Sequence, residues 1–400
     1  MIAYNKTYIE NSLLVKKAKQ WYARNLISAE QMNDIEKQYK SEFYSPAFFI
    51  KMGLFIFTFF IVGSATGFYS LIFLNFFTNI NNSGFQIFTC LFFAVGCIAS
   101  LEVFIKEKKI FRSGIDEALL YSALGFLFTA LVQIFGDSFI GDNLGLFYTL
   151  ITLPILAAAV IRYANTLTTL AMALCFYASF FLLLLKLGEI AKMIMPFALM
   201  LLSAAIYFKA NQYKQKHNLI YWKQCLIAFE CLALLVFYIS CNYFVIRESS
   251  IEFFNLNLQE GEDIPLAIVF YILTALVPIL YVYYGLKRKD KVLLWIGLAL
   301  IAAAAFTFKY YFSLGHPDVS LTLAGIAMIA IAYISIKYLK TPQKGITFEK
   351  EIDEDNFFKT NIEAIIIAQS FSQQADSIQT ESTTEFGDGE FGGAGSGGKF

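Results

Sequence analysis

Charged residues are scarce in this sequence. Only 31 Lys and Arg and 31 Asp and Glu occur among 400 residues, which is 16% of the chain, while 58% is apolar. Soluble globular chains carry about 25% charged and about 45–50% apolar residues. The composition therefore excludes a soluble enzyme, a nucleic-acid-binding protein and a disordered scaffold as descriptions of the whole chain. The formal net charge of zero also provides no overall field that would attract nucleic acid.

Residue patterns that hold metals or perform catalysis are also lacking. The chain has two histidines, and its six cysteines all fall inside apolar runs, at spacings that do not match a Cys-x-x-Cys metal site or a disulfide framework. We find no Gly-x-x-x-x-Gly-Lys-Ser/Thr phosphate loop, no Gly-x-Ser-x-Gly elbow and no His-Glu-x-x-His zinc pair. We therefore expect no metal site, no cofactor and no catalytic residues.

Long apolar runs and aromatic residues are abundant instead. The 43 Phe, 23 Tyr and 3 Trp would overfill a soluble core of this size, and the lipid bilayer is the solvent that accepts such surface. A run of about 20 apolar residues crosses the hydrocarbon core as a helix, because backbone groups in lipid must be satisfied within the segment. The sequence predicts an all-α polytopic bundle of ten spans, at 47–74, 84–105, 117–135, 144–162, 165–186, 190–209, 222–246, 264–286, 291–312 and 318–339.

Basic residues are distributed unequally between alternate loops. If the N-terminus lies inside, the inner loops carry thirteen basic residues, among them Lys106, Arg112, Lys214 and Arg288, and the outer loops carry four. Cytoplasmic loops carry an excess of Lys and Arg. This bias predicts that both termini are cytoplasmic and that the protein is a multi-pass protein of the inner membrane.

Three regions of different composition follow from these runs. Residues 1–46 form a basic helical hairpin, in which Ser28 and Gln31 are spaced as a capping box. Residues 47–340 form the membrane domain. Residues 341–400 form a cytoplasmic tail, with a short helix near 361–369 and a disordered Gly/Ser-rich end. The partners that the sequence allows are the lipid bilayer and a protein that binds the hairpin or the tail.

Few polar residues lie inside the spans. Glu230 is eight residues past Trp222, about 12 Å into the seventh span. An ionisable group at such a depth is a functional candidate by default. Gln133 and Asn242 lie near the outer ends of their spans and join helices or line a cavity. Gly63 and Gly67 lie in a stretch of small residues in the first span, which predicts a helix-packing face.

The N-terminal residues carry a resemblance to a known group. Trp21, followed by Leu26-Ile27-Ser28-Ala29-Glu30-Gln31, resembles the opening of bacterial predicted polytopic membrane proteins of unknown function. In that group a short cytoplasmic helical segment precedes a series of spans. The resemblance implies a bacterial membrane protein but no activity, since none is established for the group. In layout alone, ten spans with both ends inside also resemble the drug/metabolite transporter superfamily.

Three hypotheses about function remain open at this point. The first is a non-enzymatic scaffold or sensor that acts through its cytoplasmic ends. The second is a secondary transporter of a small solute, with a site near Glu230 at the membrane midplane. The third is an intramembrane enzyme. An inverted repeat in the helix arrangement, together with a polar cavity that reaches Glu230, favours transport. A solid bundle without cavities favours scaffolding, and a cluster of several convergent polar groups favours an enzyme.

Overall fold

The computed structural model describes residues 2–23, 25–73, 83–136, 143–214, 216–254, 263–288 and 290–311, with four single positions between 326 and 337. These residues are mostly helical, and one isolated bridge joins Tyr44 and Ile110. The helices are, in chain order, α1 (Lys6–Ala23), α2 (Ala29–Gln38), α3 (Phe48–Ile72), α4 (Ser83–Glu107), α5 (Ile115–Phe135), α6 (Leu144–Tyr163), α7 (Thr166–Leu185), α8 (Glu189–Lys214), α9 (Lys223–Ile239), α10 (Tyr243–Phe254), α11 (Ala267–Arg288) and α12 (Lys291–Tyr311).

Nine helices of the described chain, α3 to α9 together with α11 and α12, are long and apolar enough to cross a bilayer. Their outward surfaces carry large apolar side chains: Phe60, Leu201 and Trp295 are 72%, 77% and 71% exposed. Surfaces of this kind require lipid. The predicted all-α polytopic bundle is confirmed, and the chain is an integral membrane protein. The tenth predicted span, 318–339, lies outside the described residues except for those single positions, and the tail at 341–400 lies wholly outside them.

The spans pack as antiparallel pairs of consecutive helices. α4 packs on α5, α6 on α7, α8 on α9, and α11 on α12, while α3 lies against α5. Further contacts join α7 to α9 and α9 to α12. Helix α9 therefore occupies the centre of the second half of the bundle, between three neighbouring spans.

A sharp break separates α6 from α7, at the place where the sequence offers only a short polar interruption. Ala164 adopts the left-handed conformation with φ of 48°, which ends α6. The side chain of Asn165 then caps α7, because its Oδ1 accepts the Thr168 backbone N–H at 2.9 Å. The predicted boundary between the fourth and fifth spans is confirmed.

The seventh predicted span, 222–246, is interrupted near its outer end. Helix α9 ends at Ile239 and a new short helix, α10, begins at Tyr243. The backbone N–H of Tyr243 donates to Thr274 Oγ1 at 3.0 Å instead of continuing the helix. The side-chain oxygen of Asn242 accepts the Val245 N–H at 3.3 Å. A tertiary hydrogen bond to α11 thus ends a span that hydropathy alone extends.

The N-terminal segment packs against one end of the bundle, which we call the N-terminal face. The Ala3 N–H donates to the Arg162 carbonyl at the end of α6 at 2.8 Å, and the Tyr221 hydroxyl donates to Glu10 of α1. Helix α2 begins with the predicted capping box: the Ser28 N–H and the Gln31 N–H each donate to the other residue's side chain. The ends of the helices predicted to be cytoplasmic therefore meet at this face.

Candidate functional site

Glu230 lies on α9 and is fully buried, with 0% of its surface exposed. Its carboxylate oxygen Oε2 contacts the ammonium group of Lys214, the last residue of α8. The other oxygen, Oε1, has no hydrogen-bond partner among the described residues. A buried carboxylate needs both a counter-charge and hydrogen bonds. This carboxylate has the counter-charge but lacks part of its hydrogen bonding.

Glu230 lies near the middle of α9, and Lys214 reaches it from the N-terminal face. Glu230 is seven residues past Lys223, where α9 begins, so it is about 10 Å along the helix. Lys214 lies at the end of α8, and its long stem carries the ammonium group to the carboxylate. Its side chain is 15% exposed, so the charge is itself mostly buried. Sequence analysis identified Glu230 by its depth but missed Lys214, although the two residues flank the turn of one helical hairpin.

Further polar groups surround this pair. Tyr207 lies on α8 and is 8% exposed. Its hydroxyl has no hydrogen-bond partner in the described part of the chain. It lies within electrostatic reach of Glu230, Arg288 and Asp290. Asp290 begins α12 and lies within electrostatic reach of Glu230 as well. Charged and hydroxyl groups from α8, α9, α11 and the start of α12 thus converge near the N-terminal face.

A cavity of about 370 Å³ lies beside the ion pair. It is bounded by four helices, α8, α9, α11 and α12, through residues that include Tyr207, Ala233, Leu234, Phe237, Tyr281 and Arg288. Ala233 and Leu234, which line the cavity, follow Glu230 by about one helical turn, and neither Glu230 nor Lys214 lines it. The Tyr281 hydroxyl donates to the Leu234 carbonyl at 3.3 Å. The four helices therefore enclose an open, mostly apolar cavity about one helical turn from the buried carboxylate.

Asn242 lies at the other end of α9. It is 3% exposed, and its amide nitrogen donates to Tyr238 Oη at 2.9 Å and to Thr307 Oγ1 at 3.0 Å. These bonds join the break after α9 to α12. About 13 Å of helix separates Glu230 from Ile239, so the two polar groups do not share a site. Asn242 joins helices, which is one of the two roles the sequence allows.

Gln133 lies in the first half of the bundle, near the end of α5. Its side-chain oxygen is buried and has no hydrogen-bond partner among the described residues. The structure does not bring Gln133 and Glu230 together, because α5 does not belong to the four helices around the cavity. The predicted polar residues therefore form separate sites.

Close helix contacts of the kind predicted at Gly63 and Gly67 are found at two other glycines, Gly285 and Gly297. A Cβ added at Gly63 or Gly67 would meet nothing within 4 Å among the described residues, so their packing role stays a prediction. A Cβ at Gly285 would come within 2.8 Å of the Leu294 backbone nitrogen, and one at Gly297 within 2.9 Å of the Val282 nitrogen. Helices α11 and α12 therefore approach each other where only glycine fits.

A second polar cluster lies at the N-terminal face. Arg162 donates two hydrogen bonds to Glu102, from Nε at 2.9 Å and from Nη2 at 2.8 Å. This bidentate pair joins α4 to α6. Lys106, four residues beyond Glu102 on α4, lies 3.9 Å from the same carboxylate and is much more exposed. The Lys51 ammonium similarly donates to Glu117 at 2.6 Å and joins α3 to α5.

Asp116 attaches the N-terminal segment to this cluster. Its carboxylate accepts the Tyr4 hydroxyl at 3.0 Å and the backbone N–H groups of Arg112 at 2.8 Å and Ser113 at 2.9 Å. Burial raises the pKa of the Tyr4 hydroxyl well above 10, and the Asp116 charge raises this pKa further. Tyr4 therefore remains a protonated donor at neutral pH. Sequence analysis missed this attachment, which joins residues 112 positions apart.

An exposed contact lies farther out on the same face. Lys109 and Tyr8 both donate to the Glu42 carboxylate. These hydrogen bonds, the Lys109 bond first, lower the pKa of Glu42, and the same contact raises the pKa of Lys109. The contact holds the segment after α2 against the turn between α4 and α5.

Comparisons with known proteins return no match. No protein-family model, no curated protein and no solved structure is similar to this chain. Within the described residues, no group of three or more His, Cys, Asp and Glu side chains is placed to hold a metal ion. The fold and the buried polar groups thus define a multi-pass membrane protein, and any function must be argued from its own residues.

Proposed function

We propose that this protein is a secondary transporter of a small solute in a bacterial cytoplasmic membrane, with both termini inside. The observation that carries the proposal is the ion pair between the fully buried Glu230 and the mostly buried Lys214, about one helical turn from a cavity of about 370 Å³. Ionisable side chains within transporter bundles mark substrate and ion pathways. Glu230 Oε1, which has no hydrogen-bond partner among the described residues, supplies an acceptor for a proton or a cationic group.

Energetics support a role beyond stability for this pair. Removing two charges from water costs more than their attraction usually returns, so a buried ion pair is a poor device for stability alone. A transporter gains from such a pair, because its two charges can separate and rejoin as the coupling ion binds and leaves. The neighbouring cavity gives a solute access to the same helices.

The proposal is tested with the full-length protein in phospholipid vesicles that contain a pH-sensitive dye. Amino acids, sugars, organic acids and organic cations are added outside one at a time. We expect at least one solute to change the internal pH with the parent protein. Glu230→Gln should slow this change by about tenfold or more. Glu107→Gln, at the exposed end of α4, is the matched control and should behave as the parent.

Two results would contradict the proposal. One is a Glu230→Gln protein that is folded and transports as fast as the parent. The other is the absence of solute-dependent flux across the whole panel. Circular dichroism and the elution profile of each purified variant separate loss of fold from loss of transport.

A scaffold or sensor that acts through its cytoplasmic ends is the second candidate. The observation in its favour is that the N-terminal segment is attached to the bundle by Tyr4–Asp116 and Glu10–Tyr221, so a change in the spans would alter the position of α1. Cross-linking from Lys16→Cys on exposed α1 in living cells tests it. A discrete protein adduct that is absent with Glu252→Cys, an exposed position on α10 at the opposite end of α9, supports this function, and labelling of Lys16→Cys without an adduct opposes it.

A further inference from the structure

We infer that the cavity between α8, α9, α11 and α12 binds a single-chain amphiphile with an anionic head group. This inference goes beyond the proposed transport and does not depend on it. It rests on the combination of apolar walls and a cationic side chain at one end of the same cavity.

The walls of the cavity suit an acyl chain. Apolar side chains from three helices line it: Ala204 and Phe208 from α8, Ala233, Leu234 and Phe237 from α9, and Leu293 from α12. Its volume of about 370 Å³ falls at the lower end of the range of about 300–1,000 Å³ that small-molecule sites occupy. An apolar cavity of this size in a membrane protein is a site that one hydrocarbon chain can enter from the bilayer.

The end of the cavity near the N-terminal face suits an anionic group. Arg288, the last residue of α11, lines the cavity, and its guanidinium group lies 5.7 Å from the centre of the Tyr284 ring. Tyr207 also lines it, and its buried hydroxyl lies close to Arg288. A carboxylate or phosphate at this end of the cavity would accept hydrogen bonds from the Arg288 guanidinium group.

The neighbouring acidic residue does not oppose this assignment. Asp290 Oδ1 accepts the backbone N–H groups of Val292 at 3.0 Å and Leu293 at 3.4 Å, at the start of α12. Its charge is therefore already partly compensated by a helix N-terminus. Lys214, in turn, is engaged by Glu230. Arg288 is thus the cation of this region best placed to meet an anionic head group.

The binding test uses the full-length protein in vesicles of zwitterionic phospholipid, with a naturally fluorescent fatty acid as the probe. Palmitate and lysophosphatidylglycerol compete in separate titrations, which distinguishes a carboxylate from a phosphate head group. Ala204→Phe places a ring in the cavity, and Ala205→Phe places the same ring on the exposed side of α8. We expect Ala204→Phe to weaken probe binding by about tenfold or more and Ala205→Phe to leave it unchanged.

The charge requirement is tested in the same way. Arg288→Gln should weaken binding of both anionic competitors by about tenfold, whereas Lys287→Gln, the exposed neighbour, should have little effect. Three results would overturn the inference: no saturable binding of the probe, equal binding by Ala204→Phe and Ala205→Phe, or equal competition by an uncharged long-chain alcohol. The last result would mean that a bilayer acyl chain simply fills an apolar space.

Discussion

A carboxylate inside a membrane helix depends on its immediate neighbours. Within the described part of the chain, Glu230 forms its ion pair with Lys214, and that lysine is itself mostly buried. Since neither charge is well solvated, removing one leaves the other uncompensated in a medium of low dielectric constant. Removing one member of such a pair therefore lowers the free energy of unfolding more than removing both members does.

The pair predicts a non-additive pattern of stability. Lys214→Met should lower the free energy of unfolding by about 3 kcal/mol, because it leaves the Glu230 charge buried and alone. The double variant Lys214→Met/Glu230→Leu should recover most of this loss. Unfolding in mixed detergent micelles, followed by circular dichroism, measures all variants. Lys209→Met, an exposed lysine on the same helix, serves as the control, and additive losses in the double variant would show that the two charges do not interact.

Tyr4 predicts a pH dependence at the N-terminal face. Its pKa in the folded protein is raised well above the ordinary value of 10.0, so the folded state holds this proton more tightly than the unfolded state. The stabilisation is complete below about pH 10 and is lost as the pH rises through the raised pKa. A spin label at Lys6→Cys, with the native cysteines replaced, should therefore become mobile at high pH.

The same label provides the control for Tyr4. Tyr4→Phe removes the hydrogen bond to Asp116, so the label should already be more mobile at neutral pH and should lose the transition due to Tyr4. Tyr22→Phe, at an exposed position of α1, should preserve that transition. An unchanged transition in Tyr4→Phe would assign it to another group.

At the scale of helices, the close approach of α11 and α12 depends on two glycines. A Cβ at Gly297 would lie 2.9 Å from the Val282 nitrogen and 3.0 Å from the Tyr281 side chain. These distances are shorter than van der Waals contact, so the helix pair must separate to accept a methyl group. A Cβ added at Gly63 on α3 would meet nothing within 4 Å among the described residues.

Identical substitutions at these two sites should therefore have opposite effects. Gly297→Ala should lower the free energy of unfolding by about 1–3 kcal/mol through overpacking. Gly63→Ala should be neutral or stabilise the helix by up to about 1 kcal/mol, since alanine has the higher helix propensity. Chemical unfolding of both variants measures these changes in the free energy of unfolding. A destabilising Gly63→Ala would indicate that α3 packs closely on something at that surface.

The sequence predicts most helices because each depends on local composition. The apolar runs, the capping box at Ser28 and the polar break at Asn165 are all readable from neighbouring residues. The break after Ile239 is not, since it depends on Thr274, which lies 31 residues beyond Tyr243. The glycine contacts are also unreadable, because small residues occur in many spans and only the partner helix determines which of them are packed.

In the candidate site too, features set by neighbouring residues are predictable from the sequence, and contacts between distant residues are not. Glu230 was predicted because one charge in an apolar run is visible in the sequence, whereas its partner and the adjoining cavity require the arrangement of four helices. The Tyr4–Asp116 and Glu102–Arg162 contacts join residues 112 and 60 positions apart, and no local pattern indicates them. Sequence therefore predicts which residues are unusual, and tertiary structure determines which of them meet.

At the scale of the whole molecule, the charge bias predicts which side of the membrane each end faces. The N-terminal face collects Lys51, Lys109, Arg162 and Lys214 at the ends of different spans, together with the basic helix α1. The positive-inside rule predicts that this face is cytoplasmic. It then predicts that α10, at the opposite end of α9, lies outside.

Single cysteines in a cysteine-free background test this orientation in intact cells. Glu252→Cys, exposed on α10, should react with a membrane-impermeant maleimide. Lys40→Cys, exposed after α2, should react only once the cells are permeabilised. The two sites are comparably accessible to solvent, so a difference in labelling reports the membrane barrier rather than burial. Labelling of Lys40→Cys alone in intact cells would show the opposite orientation, with the N-terminal face and the Lys214 end of the ion pair toward the outside, and would contradict the orientation that the charge bias predicts.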